Sequence, residues 1–329
     1  MTKTNQQKVK DFLINNGVII VMFILVIYTG FTSDNFFTKN NFMNILMNMS
    51  SRLVIALGIA GCVITAGCDL SAGRMIGFGA CISGMLLQRM DYSGKFFPDM
   101  QPLNVFVVAL IAMLVCAAFG TVTGFFIAYL NVPPFIATLA MMEIVYGIGL
   151  IVTNATPLGG YVEQYTNVSN GKFLGINYLI WIAIIVAAIT WFIFNKTRHG
   201  KYMYAIGGNP QAAEVAGVPV KATLILIYMK AAAMYGLAGF MLGAKAGGAS
   251  VQTGYGYEME AIAACTIGGV SVTGGRGKVS SAIIGVAVFE LLKVALQYLG
   301  MNANAQYIAI GVVIFIAISL DIRKYIARK

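Results

Sequence analysis

The chain has 329 residues, 59% of them hydrophobic and 10% charged, with a mean hydropathy of +0.80 and a net charge of +10. Soluble domains carry about 25% charged residues, so this composition excludes a soluble globular domain and indicates a polytopic membrane protein. The basic excess is not a nucleic-acid signal, because much of it gathers at the two termini and in one internal loop, as in loops retained in the cytoplasm. Five cysteines (Cys62, Cys68, Cys81, Cys116, Cys265) lie in or beside apolar runs. Odd in number and without metal-ligand spacing, they read as reduced packing residues. No cleavable signal peptide is evident, and the first apolar run reads as an anchor.

The N-terminal tail carries Lys3, Lys8 and Lys10. Residues 17–31 form the first expected span. Residues 32–51 are polar and amphipathic, with Phe36, Phe37 and Phe42 suited to the membrane interface. Further spans are expected at 52–67 and 72–88. A bilayer core needs roughly 20 helical residues, so 103–130 reads as one long helix, tilted or broken, stopped by Asn131-Val-Pro-Pro134. Spans follow at 135–152 and 178–194, separated by a polar loop at 153–177 with Lys172 as its one basic residue. After the basic loop 195–221 come 222–244, the short segment 258–268, 279–298 and 305–320. Arg323, Lys324, Arg328 and Lys329 close the chain. About ten crossings place both termini and loop 195–221 in the cytoplasm, in agreement with the positive-inside rule. The expected fold is all-α, a single domain over 1–329. A faint echo between Ile59–Arg74 and Ile262–Arg276 suggests an internal repeat, and chance similarity between Gly/Ala-rich helices explains it equally well.

Loop 195–221 holds a short helix with both ends marked. Asn209 suits the N-cap and Pro210 the first helical position. Gly217 suits the left-handed turn that ends the helix, and Pro219 prevents its resumption. About seven residues do not form a stable helix alone in water. Either the helix docks on a cytoplasmic partner through small side chains (Ala212, Ala213, Ala216), or it is a capped surface loop.

Gly73/Gly77, Gly120/Gly124 and Gly239/Gly243/Gly247 have the spacing that lets helices approach closely in lipid. Charges within spans are few: Glu143, Lys230, Glu290 and Lys293. Intramembrane charges are costly and point to function. Glu290 and Lys293, three residues apart, suit a local pair or an inter-helix contact. A proton relay through Glu143 or Glu290 is the alternative. Asp69 and Ser71 suit capping of the helix that starts near Ala72, or the mouth of a pathway. No Gly-Lys pair has the spacing or following Ser/Thr of a P-loop. The single histidine, His199, has no catalytic neighbours in sequence, so an enzyme finds no support and no metal or cofactor site is expected.

Several segments resemble the permease subunit of bacterial ABC sugar importers of the ribose/galactose/xylose group. They are Thr65-Ala-Gly-Cys-Asp-Leu-Ser-Ala-Gly-Arg74, Tyr129-Leu-Asn-Val-Pro-Pro-Phe-Ile-Ala-Thr-Leu139, Asn195-Lys-Thr-Arg-His-Gly-Lys201, Ala205-Ile-Gly-Gly-Asn-Pro-Gln-Ala-Ala213 and Gly268-Gly-Val-Ser271. Asp69–Arg74, Val145-Tyr-Gly147 and the ending from Leu320 point to its galactose/methyl-galactoside branch. The resemblance implies a path for galactose, methyl galactoside or a similar monosaccharide across the bacterial inner membrane. It implies a second permease subunit forming a homodimer, a twin-module ATPase that binds ATP and magnesium, and a periplasmic or lipid-anchored sugar-binding protein. It makes Asn209, Pro210, Gln211, Ala212, Ala213, Glu214 and Gly217 the element coupled to the ATPase. Asp69, Ser71, Arg74, Phe135 and Thr138 become candidate pathway or gate residues. Lys230 and Lys245 depart from the pattern. An ion-coupled secondary carrier using Glu143 or Glu290, and a non-transporting scaffold, are the competing readings.

Overall fold

A computed structural model describes Gly17, Ile20 and residues 22–326. The basic residues Lys3, Lys8, Lys10, Arg328 and Lys329 lie outside the described residues. The helices are α1 (Met22–Thr32), α2 (Lys39–Ile64), α3 (Ala72–Leu86), α4 (Val105–Tyr129), α5 (Pro134–Thr153) and α6 (Glu163–Asn170). A two-residue hairpin, β1 (Lys172–Phe173) and β2 (Ile176–Asn177), leads to α7 (Tyr178–Lys196), α8 (Arg198–Gly208), α9 (Pro210–Val215) and α10 (Val220–Ala246). The chain continues through α11 (Tyr257–Gly268), α12 (Val279–Tyr298) and α13 (Ala303–Ile326). Each of the ten expected spans contains a helix. Among the described residues, six helices are long and apolar enough to cross a membrane: α2, α4, α5, α7, α10 and α12.

At the helix ends one expectation is refined and one is borne out. The polar, amphipathic stretch 32–51 carries the start of the next span's helix, since α2 begins at Lys39, with Thr38 Oγ1 accepting the Asn41 N–H at 3.3 Å. Among its polar residues, Asn41 Nδ2 donates to Phe36 O and Ser50 Oγ to Leu46 O, each at 2.7 Å, and Asn48 Oδ1 accepts from Lys245. The long run before Asn131 is one unbroken helix, α4, capped by Asn104, whose side chain accepts from Phe106 N at 2.9 Å.

Helix placement inverts the usual relation between polarity and burial. The best-buried long helix, α2, has a mean hydropathy of 1.6 with 78% of its apolar window inside, whereas α4 reaches 2.7 with 28% inside. Lipid selects apolar side chains outside, and the interior is free to use small and polar ones. The centre is therefore built by α10 packed on α2, α3 and α4. Here the expected small-residue contacts are made. A Cβ on Gly79 of α3 would lie 2.9 Å from the Gly236 backbone of α10, so the two helices touch main chain to main chain. Gly124 of α4 meets Ile225 of α10 in the same way. Gly247 differs from its expected packing role: at φ +65° it ends α10.

Loops gather at two opposite ends. At one, Leu158 pairs with Ala249, and Val162 N donates to Leu87 O at 2.9 Å. At the other, Gly275 N donates to Ile64 O at 2.8 Å and Tyr204 Oη to Gly277 O at 2.8 Å. The alternation read from the basic residues groups the same loops together.

Candidate functional site

At the α8 end, α9 has the ends its sequence dictates. Asn209 is extended, its Oδ1 accepts from Ala212 N at 2.9 Å, and Pro210 occupies the first turn. Gly217 takes φ +80°, with Gly217 N donating to Glu214 O at 2.9 Å and Val218 N to Ala213 O at 3.0 Å. A side chain with a Cβ is strained in that conformation. Gln211, Ala212, Glu214, Ala216 and Gly217 are exposed. Ala213 is not: it faces inward at 5% exposure, which corrects its expected availability to a partner. The residue missed in its place is Val215, 91% exposed. So short a helix shows no apolar periodicity, which hid this exposed valine.

Behind α9 lies α8, capped by Thr197, whose Oγ1 accepts from Gly200 N at 3.3 Å. Burial and the nearby Lys230 push the His199 imidazole down to about 4. The last turns of α8 press on the break after α2. Gly207 lies directly against the Ile64 carbonyl, and Tyr204 holds Gly277. Thus α9, α8, the end of α2 and the turn 274–277 form one connected body.

From Ile64 the chain turns through 65–71 into α3. Asp69 is buried; its Oδ1 accepts from Ser71 N at 3.0 Å and Ser71 Oγ at 2.6 Å, and its Oδ2 from Tyr235 Oη at 3.1 Å. The expected capping of α3 by Ser71 is not made: Ser71 is itself helical (φ −76°, ψ −12°) rather than extended as an N-cap requires, and its hydroxyl donates to Asp69. The Tyr228 hydroxyl is buried without a hydrogen-bond partner among the described residues. Buried Thr138 bonds Pro134 O at 2.9 Å and Cys68 O at 3.2 Å, joining α5 to this turn. Phe135, one turn earlier, is 56% exposed.

Arg74, on the first turn of α3, forms the centre of a second constellation. Its guanidinium carbon sits 3.9 Å from the Tyr146 ring centroid and 4.4 Å from that of Tyr255. Nη1 donates to Gln252 Oε1 at 2.8 Å, and Gln252 Nε2 donates to Tyr146 Oη at 3.1 Å. Arg74 Nε and Glu258 Oε2 are buried and without hydrogen-bond partners among the described residues. Gln252, Tyr255 and Glu143 are exposed, with Glu143 one turn before Tyr146 on α5. Tyr146 lies past the middle of α5, so this polar, aromatic face sits at mid-depth. Sequence reasoning named Arg74 but not Tyr146, Gln252, Tyr255 or Glu258, since only the fold brings three distant segments together.

The remaining charges form a third group. Glu290 of α12 pairs with Arg52 of α2 at 2.9 Å, and Glu260 of α11 pairs with both Arg52 and Lys293. The expected inter-helix contact is therefore the one formed, not the local Glu290–Lys293 pair. Arg52 also covers the Tyr257 ring at 4.6 Å. Lys245 of α10 bonds Asn48 Oδ1. Lys230 is partly buried on α10. The cysteines are all free. No group of three metal-ligating side chains occurs among the described residues.

A protein-family profile described as "Branched-chain amino acid transport system / permease component" matches residues 41–318. The galactose/methyl galactoside import permease protein of Escherichia coli (strain K12) is 39% identical over 336 residues, covering 100% of both chains. That of Haemophilus influenzae is 40% identical with the same coverage. The ribose import permease protein of Escherichia coli (strain K12) is 32% identical, covering 96% of each chain. No solved structure matches the chain.

Proposed function

The chain belongs to the family of branched-chain amino acid transport system permease components, and from that premise we propose that it carries galactose, methyl galactoside or a similar monosaccharide along a path lined by the Arg74 face. It is the membrane permease subunit of an ABC sugar importer, a multi-pass membrane protein and not an enzyme. The carrying observation is Arg74 itself: a charge at mid-depth, held between two tyrosines, beside the exposed Gln252 and Tyr255. Turning such a charge to lipid costs about 2.5–3.5 kcal/mol on insertion scales, so the face looks toward water or a second permease subunit. Aromatic rings and planar amide and guanidinium donors suit a sugar's apolar ring face and its hydroxyls.

In this reading the α9 end is cytoplasmic and docks on a twin-module ATPase, which binds ATP and magnesium. The opposite end receives a periplasmic or lipid-anchored sugar-binding protein, with 153–177 within its reach. Movement of α9 passes through α8 to Ile64 and the 65–71 turn, and so to Arg74. A ligand shifts such an equilibrium only by contacting its two states differently, and the exposed Gln211, Glu214 and Val215 would supply those contacts. Asp69, Ser71 and Thr138 hold the turn as positioning residues.

The test is sugar uptake by the assembled importer in proteoliposomes. Arg74→Ala is expected to lose at least tenfold in uptake while still co-purifying with the ATPase, and Arg74→Lys to recover part of it. Wild-type uptake by Arg74→Ala would overturn the assignment. Uptake without ATP under an ion gradient would instead establish a secondary carrier.

A further inference from the structure

Helix α11 is too short to cross by itself, and the non-helical stretch 247–256 covers the rest of the passage from the end where Ala249 pairs with Leu158. The twelve residues of α11 rise about 18 Å, against a hydrocarbon core of roughly 30 Å. It starts level with the middle of α2, where Glu260 meets Arg52. The space beyond its N-terminus, toward the end opposite α9, is therefore not filled by helix. There the chain carries an open cavity of about 510 Å³, within the roughly 300–1,000 Å³ of small-molecule sites. Its polar lining comes from three helices: Asn41, Asn44 and Asn48 of α2, Lys245 of α10, and Gln297 and Tyr298 of α12. The α2 residues recur at helical spacing, so one face of that helix supplies them all.

The hydrogen bonds set which groups the lining offers. Asn41 Nδ2 donates to Phe36 O at 2.7 Å, which leaves Asn41 Oδ1 as an acceptor. Lys245 donates to Asn48 Oδ1, which leaves the Asn48 amide as a donor. Tyr298 is pinned edge-on against Phe36, centroids 5.3 Å apart, and contributes an aromatic wall with a hydroxyl. A site for an anion needs donors alone. Here Asn41 Oδ1 is an acceptor beside the donors of the Asn48 amide and the remaining Lys245 N–H groups, and with the aromatic wall this mixture matches a polyol, whose every hydroxyl both donates and accepts. We propose that this cavity is a receiving subsite for a neutral polyhydroxylated solute of monosaccharide size, occupied before the solute reaches the Arg74 face. The assignment rests on the reading of the chain as a sugar path.

The experiment uses the importer assembled with its ATPase in nanodiscs, without nucleotide or binding protein, and measures equilibrium binding of radiolabelled galactose. Wild type is expected to bind saturably in the millimolar range. Asn44→Phe and Gln297→Phe, which fill the cavity from exposed positions, should weaken binding at least tenfold. Gln297→Ala, which removes an amide without adding bulk, should weaken it about threefold and guards against a folding artefact. Arg74→Ala should lose uptake. Absence of saturable galactose binding to wild type overturns the proposal, as do unchanged binding in all three cavity variants and binding of glycerol 3-phosphate in preference to galactose. Loss of binding in the cavity variants together with normal uptake by Arg74→Ala would uphold the subsite and remove the Arg74 path. Unchanged binding with uptake lost in Arg74→Ala would do the reverse.

Discussion

Replacing Glu260 with Gln tests whether the charge group of α2, α11 and α12 holds the half-helix in place. Glu260 is the shared anion of Arg52 and Lys293, and its side chain is 12% exposed. Breaking a buried ion pair by removing one partner costs about 3–5 kcal/mol, because a charge is left uncompensated. Arg52 keeps Glu290 at 2.9 Å, so the expected cost lies at the lower end, about 3 kcal/mol, and falls mainly on Lys293. Adding Lys293→Met removes that stranded cation, and the double variant should recover about 2 kcal/mol relative to Glu260→Gln alone. The assay is a double-mutant cycle on reversible unfolding in mixed micelles, with α11 mobility followed by hydrogen exchange. Glu260→Gln should raise exchange in α11 before other helices. A Glu260→Gln protein within about 0.5 kcal/mol of wild type, or a double variant no better than the single, would refute the idea that these pairs anchor α11.

Two further outcomes are expected. Gly217→Val forces a β-branched residue to φ +80° at a cost of about 1–2 kcal/mol, which should displace the end of α9. ATP hydrolysis by the assembled complex should then no longer follow sugar uptake, as should also happen in Glu214→Arg; wild-type uptake-to-hydrolysis ratios in both would remove α9 from coupling. His199 titrates near 4 in the folded chain, below its ordinary 6.5. The unfolded chain therefore takes up the proton first, and stability present above pH 6.5 is lost as pH falls from 6.5 toward 4. Melting midpoints between pH 7.5 and 4.5 should fall more steeply for wild type than for His199→Gln, and parallel slopes would contradict this.

Much of the fold was legible because lipid imposes long apolar runs, and the ends of α9 were legible because Asn209, Pro210 and Gly217 act through local backbone chemistry. The start of α2 was obscured by its polar residues, of which Asn41 finds its partner in the preceding turn and Asn48 on α10. The same reason hid the Arg74 constellation: residues 74, 146, 252 and 255 carry no mutual spacing, and only the packing of α3 and α5 with the 251–256 turn assembles them. Ser71 had the right chemistry for a cap, but its backbone is already helical, so its hydroxyl turns to the buried Asp69 carboxylate instead of the first-turn N–H groups. Glu290 and Lys293 had the right spacing for each other, yet Arg52 and Glu260 offered partners across helices.

The hydrogen bond from Gly275 N to Ile64 O has a mechanical consequence. It fastens the corner between α2 and α3 to the corner between α11 and α12, and α8 lies across both through Gly207 and Tyr204. A push arriving from below cannot tip one corner and spare the other. The two corners are thereby tied to each other and to α8, so a displacement of one is carried to the other.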